Sequence, residues 1–318
     1  MRKALCVCAV LMLLLPSLVI AQGRLIKIVV PYAPGGNIDV TARLYAQKVE
    51  ELLKENWIIE NMSGGNGTIG THAVAKSAPD GRTLLFTADV HSMARLVIKN
   101  VPYDPLADFV TIARVAVTPL MFVVNPVQIR ARSLGELAAD VKADPKRFSF
   151  AIAGLGSAPH LAAEVFRTRV NSDVLLVSYR GTNPAVNDVM SGQVSMTVVP
   201  PLVALQLVRG GKLRALAVTA SRRFEGAPEV PTSEEAGMPD FLFQVSYGFW
   251  GPKGLPRDAV MRINSAMRQA SEIPDLRRRL LDLGVSAMWE TPEAFAAHAL
   301  ADFQRNSRIL QQAGVKPE

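Results

Sequence analysis

Residues with chemical potential gather in short turns that follow apolar runs. The first turn is Tyr32-Ala33-Pro34-Gly35-Gly36-Asn37, directly behind Ile26-Lys27-Ile28-Val29-Val30-Pro31. A buried-type strand entering a Gly-rich turn and then a helix presents unpaired backbone N–H groups, and these attract an anion. Comparable turns are Thr87-Ala88-Asp89-Val90-His91, Gly154-Leu155-Gly156-Ser157-Ala158-Pro159-His160 and Tyr179-Arg180-Gly181-Thr182-Asn183. Ligands of open α/β sheets bind beyond the carboxyl ends of strands. Several polar turns at such ends predict one site assembled from both halves of the chain. Asp39, in the first turn of the first helix, would repel a nearby anion, so its expected part is to point away or to fix the loop. A second Gly-rich stretch, Ser63-Gly64-Gly65-Asn66-Gly67-Thr68, reads as a tight structural turn.

Other chemistries lack their residues. His72, His91, His160 and His298 form no HxH, HExxH or short His–carboxylate set, so no metal site is expected. There is no GxSxG elbow. Ser157 and His160 share one helix start, a spacing that suits a capping Ser better than a Ser–His pair. An exported hydrolase using Ser157 is the enzymatic alternative; the expectation is that the chain is not an enzyme and has no cofactor. Gly154-x-Gly156 lacks the third Gly and the later acidic residue of a dinucleotide fold, and no Gly-Lys-Ser/Thr follows it. The two cysteines are Cys6 and Cys8, so the chain beyond them has no disulfide, thiol nucleophile or thiolate ligand.

The elements that must position these turns alternate. β-Branched runs recur at 26–30, 83–87, 121–124, 148–152, 174–177, 196–199 and 213–219, with a short strand at 57–60. Stretches of 3.6-residue period lie between them at 38–54, 134–142, 161–170, 184–191 and 256–270. That alternation predicts an α/β fold with mostly parallel sheets. Crossovers are expected near Val123-Val124-Asn125-Pro126 and between Pro228 and Phe249. They divide the chain into one lobe of residues 22–124 and 245–318 and a second of residues 125–244. Ahead of them, Arg2 and Lys3, the apolar run Ala4 to Leu15 and the small residues Val19 and Ala21 read as a signal peptide, residues 1–21, cleaved after Ala21. The formal net charge is +7. The basic residues are scattered apart from Arg277-Arg278-Arg279, which reads as a solvated helix face, and nucleic acid is not an expected partner.

Taken together, the residues resemble the periplasmic receptors of the tripartite tricarboxylate transporter system, the Bug-type solute-binding proteins. The resemblance rests on 29–39, on Glu60-Asn61 with the Gly-rich turn after it, and on 73–85. It continues through Pro102-Tyr103-Asp104-Pro105, Gly156-Ser157 with His160-Leu161-Ala162, Gly192-Gln193-Val194, 211–219, and Pro231-Thr232 with Glu235-Ala236-Gly237. It implies a two-lobed type II periplasmic-binding-protein fold whose hinged cleft closes on a small organic carboxylate. It also implies a periplasmic monomer that delivers its ligand to one large and one small integral membrane subunit. A sensor feeding a membrane signalling partner is the alternative output. The implied contacts are Tyr32, Ala33, Gly35, Gly36, Asn37, Thr87, Ala88 and His91 from one lobe. From the other they are Gly156, Ser157, Ala158 and His160, with Tyr179, Arg180 and Gly181 near the rim. Gly35 and Gly36 would let backbone approach the carboxylate, Ser157 would donate its hydroxyl, and Tyr32 would wall the pocket.

The chain departs from the family pattern in two places. Val199-Pro200 stands where many relatives carry an acidic residue and an amide, and Ala158-Pro159 replaces small hydroxyl residues before His160. With Val199 read as a pocket residue, the far end of the pocket is expected to be apolar. The ligand predicted is a monocarboxylate, or an acid with an apolar tail, rather than an amino acid. A binding screen checks this; aspartate or glutamate bound while apolar acids are refused overturns it.

Overall fold

The computed structural model describes residues 24–317 apart from Leu155 and Arg180. The expected signal peptide and its cleavage site lie outside the described residues. Among the described residues no helix is long and apolar enough to cross a membrane.

Two mixed sheets organise the chain. The first holds β1 (Leu25–Val30), β2 (Asn56–Asn61), β3 (Thr83–Ala88), β4 (Phe109–Pro119), β10 (Gln244–Pro252) and β11 (Ser286–Ala287), in the order β11-β4-β10-β3-β1-β2. The second holds β5 (Met121–Val124), β6 (Ser149–Ala153), β7 (Leu175–Tyr179), β8 (Met196–Val199) and β9 (Arg214–Val218), in the order β7-β6-β8-β5-β9. Strand Met121–Val124, placed in the first lobe by the sequence reading, therefore hydrogen-bonds into the second sheet.

The sheets are less parallel than the alternation predicts. β10 runs antiparallel to β3 and β4, and β5 runs antiparallel to β8 and β9. The reason is geometric. Both strands start where the chain crosses between sheets and run away from that point, whereas β1, β3 and β6 end toward it.

Amphipathic helices cover the sheets. α1 (Asn37–Leu53) and α8 (Arg257–Glu272) bury Tyr45, Val49, Ile263 and Met267 against Ile28, Phe86 and Phe249. The Tyr45 hydroxyl, carried into that core, donates to the Val115 carbonyl at 2.6 Å. In the second sheet Phe122 and Phe150 meet Phe166 of α5 (Ala158–Val170) at ring separations of 5.3 and 6.0 Å. α6 (Thr182–Ser191) and α7 (Pro201–Arg209) close its other face over Val123, Val199 and Val218. The last helix, α10 (Pro292–Gln312), serves both units. Its Phe295 and Ala299 pack with Val29 and Trp250, while Leu310 joins the core of Phe122 and Phe166.

The two crossings lie side by side. Antiparallel pairing of β4 with β10 sets Pro119 opposite Gln244. Thr219, just past β9 and almost wholly buried, binds both crossings. Its N–H donates to Leu120 O at 2.8 Å, and its carbonyl accepts from Phe243 N at 2.9 Å. Its hydroxyl accepts from Leu120 N at 3.2 Å and reaches the Leu120 and Phe243 carbonyls. Thr219→Val keeps the shape and removes this oxygen, leaving buried backbone groups unpaired. We expect a loss of about 1–3 kcal/mol in denaturant unfolding, with secondary structure intact by circular dichroism.

Candidate functional site

The Gly-rich turn after β1 is fixed by one buried carboxylate. Asp39 accepts from Gly35 N at 2.9 Å, from Asn61 Nδ2 at 2.9 Å and from Arg43 Nε at 3.0 Å. The same Asn61 amide donates to Tyr32 O at 3.1 Å. One side chain thus ties the turn, the start of α1 and the end of β2 into a single unit. Burial works against the Asp39 charge, but the Arg43, Gly35 and Asn61 donors outweigh it and hold the carboxyl below its usual range. Gly35, at φ +87°, takes a conformation that suits glycine. Its N–H is spent on Asp39 and does not face the cleft.

Above this turn a cavity of ≈ 270 Å³ opens between the two sheets. Tyr32, Ile38, Thr87, Ala88, Asp89, Val90 and His91 line it from the first sheet, with Val245 from β10. Asn66, Gly67, Thr71 and Tyr103 close one side, and Ala94, Val97 and Ile98 another. Ala153, Gly154, Ser157, Ala158 and Pro159 face them from the second sheet. α1 and α5 both begin at the cavity. α1 has no side-chain cap on its first-turn N–H groups, so its positive end is open to an anion.

The polar groups of this wall are neutral donors or have their charge suppressed. Burial pushes the Tyr32 phenol up to about 12, against the neighbouring Thr87 hydroxyl. Burial lowers His91 to about 4, as its ring packs at 4.8 Å from Phe109 and 5.0 Å from Trp250. His91 Nε2 lies 2.9 Å from Pro105 O. A carbonyl only accepts, so Nε2 carries a proton, and burial, which disfavours the charged ring, makes this the Nε2–H tautomer of the neutral imidazole. Asp89 keeps part of its surface open to the cavity, and burial pushes its carboxyl up to about 7. Among the described residues the wall holds no Lys or Arg.

Ser157 caps α5. Its hydroxyl reaches the Gly154 carbonyl at 2.7 Å and the Ala153 carbonyl at 3.1 Å, and it accepts from His160 N. His160 Nδ1 accepts from Gly156 N at 2.9 Å, and Nε2 lies 3.5 Å from Glu164. The imidazole therefore holds the loop and does not take a proton from Ser157. Gly156, at φ +71°, lets the loop touch Val97 of α3 (Ala94–Val97); a Cβ there would sit 2.7 Å from the Val97 side chain.

The family model described as tripartite tricarboxylate transporter family receptor matches residues 41–315. The chain belongs to that family. Protein BugT of Bordetella pertussis is 32% identical over 295 residues, which is 92% of this chain and 90% of BugT. The solved structure of Rhodopseudomonas palustris Rpa4515 with adipate superposes with a TM-score of 0.81 at 28% identity, covering 93% of this chain and 99% of that one. That of MatC from the same species with bound malate gives 0.75 at 30% identity, covering 90% and 99%. The two sheets with the cavity between them are thus the type II periplasmic-binding-protein fold, and the receptor is a solute-binding one.

Of the residues expected at the receptor's site, Tyr32, Thr87, Ala88, His91, Ser157 and Ala158 line the cavity. Tyr179 and Gly181 lie at its wider mouth with Gly65, Asn66 and Asn100. The Tyr179 hydroxyl is engaged by Asp188 at 2.6 Å. Arg180 lies outside the described residues. Gly156 and His160 support the wall from behind. Ala33, Gly35 and Gly36 are exposed at the tip of the turn rather than in the wall, because Asp39 pulls the loop backbone toward α1. Asn37 begins α1 beside the cavity-lining Ile38.

Val199 does not reach the cavity. It is fully buried with Met121, Val123 and Val218 beneath α6 and α7. The apolar character expected from it comes instead from Ile38, Val90, Val97, Ile98, Pro159 and Val245. The turn at 63–68, read as structural, contributes Asn66 and Gly67 to the wall. Its Gly67 packs against the Tyr32 ring, 3.2 Å from where a Cβ would stand. Asp89 and Tyr103, present in the 87–91 turn and the 102–105 motif but not among the expected contacts, also line the cavity.

Asp39→Ala removes the acceptor of the Gly35 N–H and of one Asn61 N–H, leaving Asn61 only its bond to Tyr32 O, and should cost about 1–3 kcal/mol in denaturant unfolding. The pH sign follows from the depressed carboxyl. Its stabilisation is present above the unfolded-state value and disappears as pH falls through the lower folded value. Wild-type protein should lose stability along that acid limb, and the variant should show a flatter one.

Proposed function

We propose that this receptor is exported to the periplasm, cut after Ala21, and works as a monomer. In this reading it captures a small organic carboxylate and delivers it to integral membrane subunits, one large and one small. The observation that carries this reading is the cavity where the open N-terminus of α1 meets the capped N-terminus of α5, with hydroxyl donors between them. A volume of ≈ 270 Å³ falls just under the roughly 300–1,000 Å³ of pockets for drug-sized ligands, which favours a short acid. Adipate and malate, bound in the two Rhodopseudomonas palustris neighbours, are acids of that class. Ligand contacts from both sheets favour closure of a lobe built on the first sheet against one built on the second, about Leu120 and Phe243. Binding without turnover is supported by the commitment of the Ser157 hydroxyl to backbone carbonyls.

A thermal-shift screen of residues 22–318, refolded to strip any carried ligand, tests the proposal with short mono-, di- and hydroxy-acids. An acid at about 100 times its Kd should stabilise the fold by about 2.7 kcal/mol and raise the midpoint by several degrees. Mass spectrometry should recover that acid unchanged. No shift with any acid overturns the receptor reading for carboxylates, and consumption of the acid overturns binding without turnover.

A further inference from the structure

The cavity for an anion contains an acid of its own. Asp89 follows β3 and opens onto the cavity, and its Oδ2 accepts from Ser246 N of β10 at 3.0 Å. No cationic partner is free to neutralise it among the described residues. Arg114 of β4 acts on its charge from behind, but the donors of that guanidinium are committed elsewhere. Nε and Nη2 go to Ser246 Oγ at 3.1 and 2.9 Å, and Nη1 to Glu290 at 2.7 Å. From α10, Asp302 adds a second acid, itself held by His298 at 3.0 Å and Arg305 at 3.0 Å. His91, Tyr32 and Tyr247 complete the titratable surroundings. His91 is held neutral by burial, and burial pushes both phenols up to about 12.

A carboxylate ligand brought beside an ionised Asp89 would place two like charges in one water-poor space, where their repulsion is strong. We propose that Asp89 meets the ligand's carboxylate as a neutral acid, so that an anionic ligand enters together with one proton taken from solvent. That proton sits on the Asp89 carboxyl and is donated in an O–H···O⁻ hydrogen bond, a short and strong type. The inference rests on the carboxylate-receptor reading and adds a selection rule to it. Held neutral, Asp89 favours acids without a cationic group, because an uncharged carboxyl offers a ligand's ammonium no charge to pair with, and only the ionised form would. Burial, with Asp302 adding to it and the Ser246 N–H and Arg114 opposing, raises the Asp89 carboxyl to about 7. The coupling therefore falls within an accessible pH range.

Titration calorimetry with adipate, malate, hexanoate and 6-aminohexanoate tests it, in pairs of buffers that differ in ionisation enthalpy, from pH 5.5 to 8.5. For the acids lacking an ammonium, the expected count rises from near zero at pH 5.5 toward one proton taken up per ligand at pH 8.5. Affinity should fall about tenfold per pH unit above pH 7. Asp89→Asn, which mimics the neutral acid, should bind within a few-fold of wild type at pH 5.5 and lose both the proton uptake and the pH dependence. His298→Gln should leave the count unchanged. The idea is overturned by binding without proton uptake at pH 8.5, or by uptake that survives Asp89→Asn. Tighter binding of 6-aminohexanoate that strengthens with pH also overturns it and reassigns Asp89 as a cation partner. Binding of none of these probes removes the receptor reading for this acid class, and the inference with it, whereas binding without uptake leaves that reading standing.

Discussion

The antiparallel ladder between β4 and β10 is the constraint on which the molecule depends. It runs from Gln244 opposite Pro119 to Pro252 opposite Phe109. Because the end of one strand lies beside the start of the other, the chain leaves the first sheet and returns to it at one place. Thr219 gathers both passages with its backbone and its hydroxyl. The strands of both sheets that end toward this seam deliver their turns to one cleft. Without the ladder, Thr87 and Ser157 would belong to separate surfaces.

The cleft handles charge by moving it out of the wall. Asp39 keeps its charge, but behind the turn, where Gly35, Asn61 and Arg43 compensate it. Arg114 is almost wholly buried and is balanced by Glu290. Glu164 faces His160 and Arg167 behind α5. What remains at the cavity surface are hydroxyls, amides, a neutral imidazole and a carboxyl whose charge burial suppresses. Such groups discriminate by direction and by exclusion of water, because an unpaired buried polar atom is costly.

Much of this was legible in the chain, because local signals and the fold agree. The runs at 121–124 and 196–199 are strands with those bounds, and the turns at 87–91 and 154–160 do meet across one cavity. β4 was not legible. Arg114 interrupts its apolar run, and the residue is tolerated there only because Ser246 and Glu290 meet it from distant parts of the chain. β10 was read as part of a crossover because Gly248, Gly251 and Pro252 obscure its pattern. Val199 was misplaced for a different reason. Alternation shows that a strand has two faces but not which one a cleft occupies. Asp89 depends on a contact 157 residues away in sequence, and no local pattern carries that.

The neutral wall has a consequence for where such a protein can work. A site that grips an anion with lysines or arginines at a surface loses strength as ions in the medium screen the attraction. Half-buried hydroxyls, amides and helix-end N–H groups act at contact distance and carry no net charge for mobile ions to screen. Among the described residues the wall has no exposed cation to be screened. Capture should then be nearly indifferent to the saltiness of the surroundings, a property suited to a compartment whose ionic content follows the outside world.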